Sequence, residues 1–383
     1  SVNKKKKRLE AEYEKAKREP EPQPPKAKKF KQVHTEIPKL ENYGKQAPDA
    51  WFDLWPSLTN EEAKLCKSKI DPDQLIKMAI AANHKDLGTV QAICEDLRRG
   101  ADIGTRGANL CPSTSTNAPS AFEFGDRVTD AIVDGIKKKI MIGPMKWEEV
   151  TALNWPGIKV NGIMVRLKET GKARIILNMS KGEPFDVNGG MNCDGRFRVT
   201  MSSTKRWARA LRSVGRGAWL TKIDWEAAYK NIKVLPSDIR LQFFKWGGRW
   251  FAETNLVFGA ASSVGLYDRL AKLVLAIVTH EAGFPEEQCQ QIIDDVVACG
   301  SKEEVLRFHS TYHGVAAKLG VKLAVEDDPT KAFSATQEGE IFGVTYNTKN
   351  MTWSLRAGKM GTIIDLIRTA EASGALPAGS LRK

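Results

Sequence analysis

Two adjacent aspartates, Asp294 and Asp295, sit in the run CQQIIDDVVACG (289–300) between apolar flanks. Aspartate favours turns, and an acid pair in a turn is ordinarily solvated. Here Ile292, Ile293, Val296 and Val297 are all β-branched, which suits a buried hairpin. Two carboxylates at the tip of such a hairpin are costly unless they are compensated or take up protons. A divalent cation is the simplest compensation, and Mg²⁺ takes a few carboxylates while leaving the rest of its shell to water or phosphate. Asp224, in LTKIDWEAAY, can supply a third acid where a strand-like run ends. Its competing reading is a helix N-cap, a place that Asp also favours.

These acids need elements to hold them. AWLTKID reads as a strand leading through a turn into a helix over WEAAYKNIKV, and the runs IRLQFFKW and RWFAETNLVF read as a strand pair about Gly247-Gly248. Ser262 or Ser263 can cap the helix that Gly283 ends, and Ser301 with Glu304 forms a capping box for the helix that Gly320 ends. GVKLAV, EIFGVTY and MTWSL read as short strands. Strands joined partly by hairpins and interleaved with two long helices predict an antiparallel α+β sheet with its helices on one face. Upstream, IKVNGIMVRLK and KARIILNMS form a hairpin with a basic tip at Lys168, Lys172 and Arg174.

The first 40 residues hold 13 Lys/Arg and 6 Asp/Glu, so +7 of the net +13 lies there and +6 on the rest. This arm has too little apolar content to bury and reads as disordered; its KKKKR is a solvated run, a nuclear-localisation signal or a phosphate contact. The basic balance favours an anionic partner, most simply nucleic acid. A helical stretch follows, with a Thr59–Glu62 capping box, Asp71-Pro72 as an N-cap pair and Gly100 as a C-cap. A polar loop then runs from 104 to 120. The six cysteines show no C-x-x-C spacing, and neither a signal peptide nor a membrane-length apolar run is evident. The expectation is an intracellular protein of the nucleus and/or cytoplasm, without a membrane partner, and a piece of a larger polypeptide.

DWEAAY (224–229), LVFGAASS (256–263) and IIDDVV (292–297) resemble, in order and spacing, palm motifs A, B and C of reverse transcriptases. KARIILNMSKG is similar to the fingers motif, and LGVKL…K…EIFGVTY to the later palm motifs and primer grip. The wording of these blocks looks most like the tyrosine-recombinase (DIRS-type) retrotransposon polymerases. The resemblance implies a right-hand fold: a disordered arm (1–58), a helical extension and loop (59–120), fingers (121–217), palm (218–346) and the start of a thumb (347–383). It implies template-directed DNA synthesis from dNTPs on a primed RNA or DNA template, with RNase H and recombinase domains elsewhere on the polyprotein. Asp224 and Asp294 would ligate two Mg²⁺, or Mn²⁺, with Asp295 a weaker ligand or electrostatic support. Lys168, Lys172 and Arg174 would cover the triphosphate, Tyr229 would exclude a ribose 2′-hydroxyl, and Phe258 and Gly259 would underlie the nascent base pair. Lys331 matches a palm lysine, and Phe342, Gly343, Val344 and Tyr346 the primer grip. Ile292 and Val257 depart from the common aromatic and proline at their positions.

Other readings are weaker. An RNA-dependent RNA polymerase ordinarily has a second acid four or five residues after the first, where this chain has Ala228 and Tyr229. A non-catalytic nucleic-acid-binding scaffold on the same fold would be favoured by loss of an acid, and all three are present. His309 and His313, one turn apart, can chelate zinc, but no Cys or acid accompanies them at metal spacing, so they read as ordinary helix residues. Trp225 reads as core, and Trp246 and Trp250 as the tryptophans most open to stacking on bases.

Overall fold

The computed structural model describes residues 68–105, 112–167, 171–181, 186–191, 195–199, 202–326, 328–355 and 357–373. The basic arm, the Thr59–Glu62 capping box, Lys168 and most of the adjoining hairpin tip lie outside the described residues. The chain divides into two compact units. Among the described residues, one takes Ser68, Glu95–Arg198 and Tyr229–Leu266, and the other Lys69–Cys94, Val199–Ala228 and the chain from Tyr267.

In the first unit the Lys159–Leu167 strand is the organising element of a six-stranded sheet. It pairs antiparallel with Ala173–Asn178 and parallel with Ser113–Thr114 and Phe243–Trp246. Phe243–Trp246 turns back through Gly247-Gly248 into Arg249–Glu253, which pairs with Met141–Met145. The two glycines take φ of 55° and 73°, the left-handed values that a two-residue hairpin turn needs. The strand starts later than IRLQFFKW predicts, because Pro236–Ile239 forms a helical turn first. Pro236 suits the first turn of a helix, and the buried Asp238 carboxylate accepts from the Ile103 N–H at 3.0 Å.

The second unit holds a four-stranded antiparallel sheet in the order Phe333–Thr336, Trp219–Asp224, Asp295–Gly300, Cys289–Ile292. Strand alternation sends Leu220, Lys222 and Asp224 to one face and Thr221 and Ile223 to the other. Leu220 clusters with Val297 and Cys299 and with Trp207 of the Thr204–Val214 helix. Thr221 is 2.9 Å from a ring nitrogen of His309, on the Lys302–Leu319 helix. The sheet therefore carries a helix on each face, not on one. The apolar side of the upstream helix, with Trp207, Ala210 and Leu211, needs cover that only the second face supplies.

Helix ends follow their sequence signals. Asp71 accepts from the Asp73 and Gln74 N–H groups at the start of Pro72–Ala81. Ser301 and Glu304 close the capping box, and Gly320, with φ 74°, ends that helix. GVKLAV is not a strand: it follows the exit of Trp219–Asp224, with the Ala324 N–H on the Asp224 carbonyl at 2.8 Å and the Glu226 N–H on the Lys322 carbonyl at 2.9 Å. EIFGVTY, expected as one strand, is a hairpin: Glu338–Ile341 and Val344–Asn347 flank Phe342-Gly343, and Thr352–Leu355 adds a third strand. Phe342 takes φ 53°, a value uncommon for a bulky residue. Its ring and that of Tyr346 each stand edge-on to Trp207 at 6.4 Å, and this packing holds the turn. Among the described residues no helix is long and apolar enough to cross a membrane.

Trp207 thus ties the Thr204–Val214 helix to both the sheet and the hairpin. Trp207→Ala is expected to cost about 3–5 kcal/mol in urea unfolding. Hydrogen exchange should quicken in 338–347 ahead of the Pro72–Ala81 helix.

Candidate active site

Asp224 is the last residue of its strand and pairs in register with Asp295, the first residue of the returning strand. No helix starts there. The chain goes on through Trp225, bridged to Leu323, into a 3₁₀ turn over Ala228–Asn231, so the N-cap alternative drops out. The expected helix over WEAAYKNIKV shrinks to that turn, and Ala227 takes a left-handed φ of 53°. Trp225 anchors the exit. Its buried indole N–H donates to the Tyr312 hydroxyl at 2.7 Å, and its ring stands edge-on to Tyr267 at 5.4 Å.

The closing pair of the hairpin is Ile292 with Asp295, which leaves Ile293 and Asp294 as the two turn residues. The acid pair is thus split: Asp294 is in the turn and Asp295 on the strand. Ile293 holds φ at 55°. A β-branched side chain in the left-handed region costs on the order of 1–2 kcal/mol. The Gln291 side-chain amide donates to the Ile293 carbonyl at 2.8 Å and braces the turn.

The three carboxylates act on one another. Burial first, and the Asp294 and Asp295 carboxylates after it, push the Asp224 carboxyl up to about 7, against the opposing pull of Lys222 and Lys331. Lys222 lies on the acid face, two residues before Asp224. Its buried Nζ is 3.2 Å from Asp295 Oδ1 and donates to the Thr330 carbonyl at 2.8 Å. Lys331, exposed and bonded to Asp328 at 2.8 Å, adds to the field at Asp224. Sequence reading missed Lys222, although strand alternation in WLTKID already places it beside Asp224.

A second group of ligating side chains stands in the same unit. Among the described residues, His309, His313 and Glu326 are a trio whose ligand atoms all lie within 4.8 Å of one another. The expectation that the histidines lack an acid partner is therefore corrected. Glu326 comes from the segment after the helix, which no fixed sequence spacing announces.

In the first unit the structure gathers three other expected site residues. The Arg174 guanidinium carbon lies 4.5 Å from the centre of the Phe258 ring, and the Tyr229 ring lies 4.8 Å from it. Arg174 Nε is buried with no hydrogen-bond partner among the described residues, and Lys172 is exposed. Gly259, at φ 109°, would place a Cβ 1.8 Å from the Leu177 carbonyl oxygen. Only glycine fits there, and the neighbour that demands it is the Ala173–Asn178 strand. Asn188 fixes the loop by donating to the Gly259 carbonyl at 2.8 Å and accepting from the Ala261 N–H at 2.9 Å. Trp246 and Trp250 are only half-exposed: the Trp246 indole donates to Thr129 at 3.0 Å, and Trp250 packs on Trp147 at 5.3 Å.

No protein-family model matches the chain, and no curated protein sequence does. Among solved structures, the foamy viral protease-reverse transcriptase dRH in complex with double-stranded DNA is similar at a TM-score of 0.51 and 12% identity, over 81% of this chain and 51% of that one. The fold is reverse-transcriptase-like. Two related structures score lower: the foamy viral enzyme with double-stranded DNA (TM-score 0.48, 14% identity, 66% and 45% covered) and with an RNA/DNA hybrid (0.49, 14%, 67% and 30%). The chain spans about half or less of each of these solved chains.

A raised Asp224 pKa makes the folded protein hold a proton that the unfolded chain releases near 3.8. Stability without metal therefore falls as pH rises from about 4 to about 7. Removing one neighbouring charge should recover part of it: Asp294→Asn is expected to raise Tm by about 2–4 °C at pH 8 without divalent cations. The gain should shrink at pH 5, where Asp224 is protonated. Differential scanning fluorimetry at the two pH values checks both.

Proposed function

We propose that the chain is the polymerase core of a retroelement reverse transcriptase, of the DIRS type by the wording of its motifs. It would extend a primer 3′-hydroxyl with dNTPs on an RNA or DNA template inside the cell, in the nucleus and/or cytoplasm. The observation that carries this reading is the acid end of one strand pair: Asp224 in register with Asp295, Asp294 at the adjoining turn, and a carboxyl raised to about 7 with the buried Lys222 close by. The similar solved structure at a TM-score of 0.51 is a complex with double-stranded DNA, which supports nucleic acid as the partner.

The donor set fits Mg²⁺, since it is all oxygen and the Asp294 and Asp295 carboxylates both raise the Asp224 carboxyl, a repulsion a cation would relieve. Bound as a pair, the ions would activate the 3′-hydroxyl and stabilise the pyrophosphate leaving group; Mn²⁺ would suit the same oxygens. Asp224 and Asp294 would hold them. Asp295, already drawn to Lys222, serves as a weaker ligand or as electrostatic support. Asp224 must shed its proton before it can ligate, so its burial makes metal binding depend on pH. Arg174, with Lys168 and Lys172, takes the triphosphate; a planar guanidinium suits two phosphate oxygens at once. Tyr229, packed on Phe258, presents a ring that excludes a 2′-hydroxyl. Phe258 and Gly259 underlie the nascent pair, and Lys331 adds positive charge near Asp224. Phe342, Gly343, Val344 and Tyr346 grip the primer from a hairpin that Trp207 steadies. In this reading 121–217 are fingers, 218–346 palm and 347–383 the start of a thumb, preceded by the 1–58 arm and the 59–120 extension. RNase H and recombinase domains complete the polyprotein.

Primer extension on RNA and DNA templates tests this. The chain should extend with dNTPs and Mg²⁺, and Asp294→Asn should lose at least about 100-fold, the equivalent of the several kcal/mol that a metal supplies. A wild-type chain that extends nothing, or a mutant as active as wild type, refutes the catalytic reading in favour of a binding scaffold. Tyr229→Ala should raise NTP incorporation; unchanged sugar discrimination rejects that role. The Mg²⁺ concentration for half-maximal extension should fall as pH rises to about 7 and then level off, following the Asp224 proton.

A further inference from the structure

His309 and His313 stack one turn apart on the Lys302–Leu319 helix, ring centres 4.4 Å apart. Glu326 meets them from the segment after the helix, with Oε1 3.0 Å from His309 Nε2. Its other oxygen, Oε2, accepts from the Ser334 N–H at 3.1 Å, so the carboxylate is held from both sides.

The hydrogen bonds around His309 settle its tautomer. Thr221 Oγ1 lies 2.9 Å from the Phe333 carbonyl oxygen and 2.9 Å from His309 Nδ1. A carbonyl cannot donate, so the single hydroxyl proton goes to Phe333, and His309 Nδ1 must donate to Thr221. In the neutral ring Nε2 then carries a lone pair, and it faces the Glu326 carboxylate, another acceptor. Two lone pairs at 3.0 Å need a positive centre between them. A proton would answer for that pair alone and leave His313 unused. A metal cation engages all three side chains. The Thr221 contact is moreover the outer hydrogen bond that orients a ligating imidazole.

We propose that His309, His313 and Glu326 form a site for a borderline divalent transition metal, Zn²⁺ by donor type, with an open fourth position. Two imidazoles and one carboxylate suit zinc and not Mg²⁺, which prefers oxygen. The fourth position faces a cavity of about 440 Å³ lined in part by His313, Glu326, Leu323 and Val325, where water or a small anion can enter. The bound ion pins the segment 321–326 to the helix. That segment carries Ala324, whose N–H bonds the Asp224 carbonyl at 2.8 Å, so the ion steadies the end of the acid-bearing strand from its other face. This inference is independent of the proposed polymerase activity.

The test is a titration of the full chain, stripped with chelator, with Zn²⁺ in isothermal calorimetry and with Co²⁺ in visible absorption. One ion per chain should bind in the presence of millimolar Mg²⁺, raise Tm, and give a Co²⁺ spectrum without a thiolate band. His313→Ala, at a half-buried position, and Glu326→Gln should each weaken binding by about ten-fold or more, while Asp294→Asn leaves it unchanged. The site is overturned by three results: no binding, affinity unchanged in both ligand variants, or a thiolate-to-cobalt band placing the metal on cysteine.

Discussion

A carboxyl that ends a buried strand beside two others cannot be left to solvent, and the second unit is arranged around that constraint. The Trp219–Asp224 strand runs through the centre of its sheet, so Asp224 reaches its end already half-desolvated. Lys222 answers part of the charge, but its reach goes to Asp295 and to the Thr330 carbonyl, not to Asp224. The placement of the acids is fixed by the backbone. Asp224 and Asp295 are locked in register, and Asp294 is lifted into the turn by an isoleucine held where isoleucine seldom sits. A relaxed protein would place glycine at 293 and a neutral residue at 224. Strain and repulsion gathered at one strand end suit the cation site proposed above.

Packing elsewhere serves the same end. Trp225 turns the chain away from the strand in one residue, because its ring is fully enclosed and its N–H is satisfied by Tyr312. That turn leaves Asp224 at the edge instead of in the cap of a helix. Trp207 holds the opposite side, bridging Leu220 on the sheet to the Phe342 turn. In the first unit the same economy shows at Gly259, where strand and loop approach until no side chain fits, while the neighbouring Phe258 stays out to receive Arg174 and Tyr229.

Much of this was legible in the sequence where the signal is local. The β-branched flanks of Asp294-Asp295, the Ser301–Glu304 capping box, the Gly247-Gly248 turn and the Asp71 cap each depend on a few adjacent residues, and each appears where expected. The failures share a cause in tertiary contact. GVKLAV has strand composition but spends its hydrogen bonds on the exit of another strand. EIFGVTY breaks at Phe342 because Trp207, far upstream, stabilises a turn there that phenylalanine alone would resist. Glu326 was invisible as a partner of two histidines because folding, not spacing, delivers it.

The central strand therefore has two chemically distinct faces. Asp224 and Lys222 look to one side, among carboxylate oxygens; Thr221 looks to the other and fixes an imidazole. A hard, strongly hydrated cation gains little from nitrogen, and a borderline one gains much from two imidazoles. If both faces take ions as proposed, their ligands do the sorting, and neither site competes for the other's metal. What couples them is backbone: only Lys222 and Ile223 separate Thr221 from Asp224, and the Asp224 carbonyl is held by the Ala324 N–H on the segment that carries Glu326. Order imposed on that segment limits how far the end of the strand can move, and the position of Asp224 depends on that end.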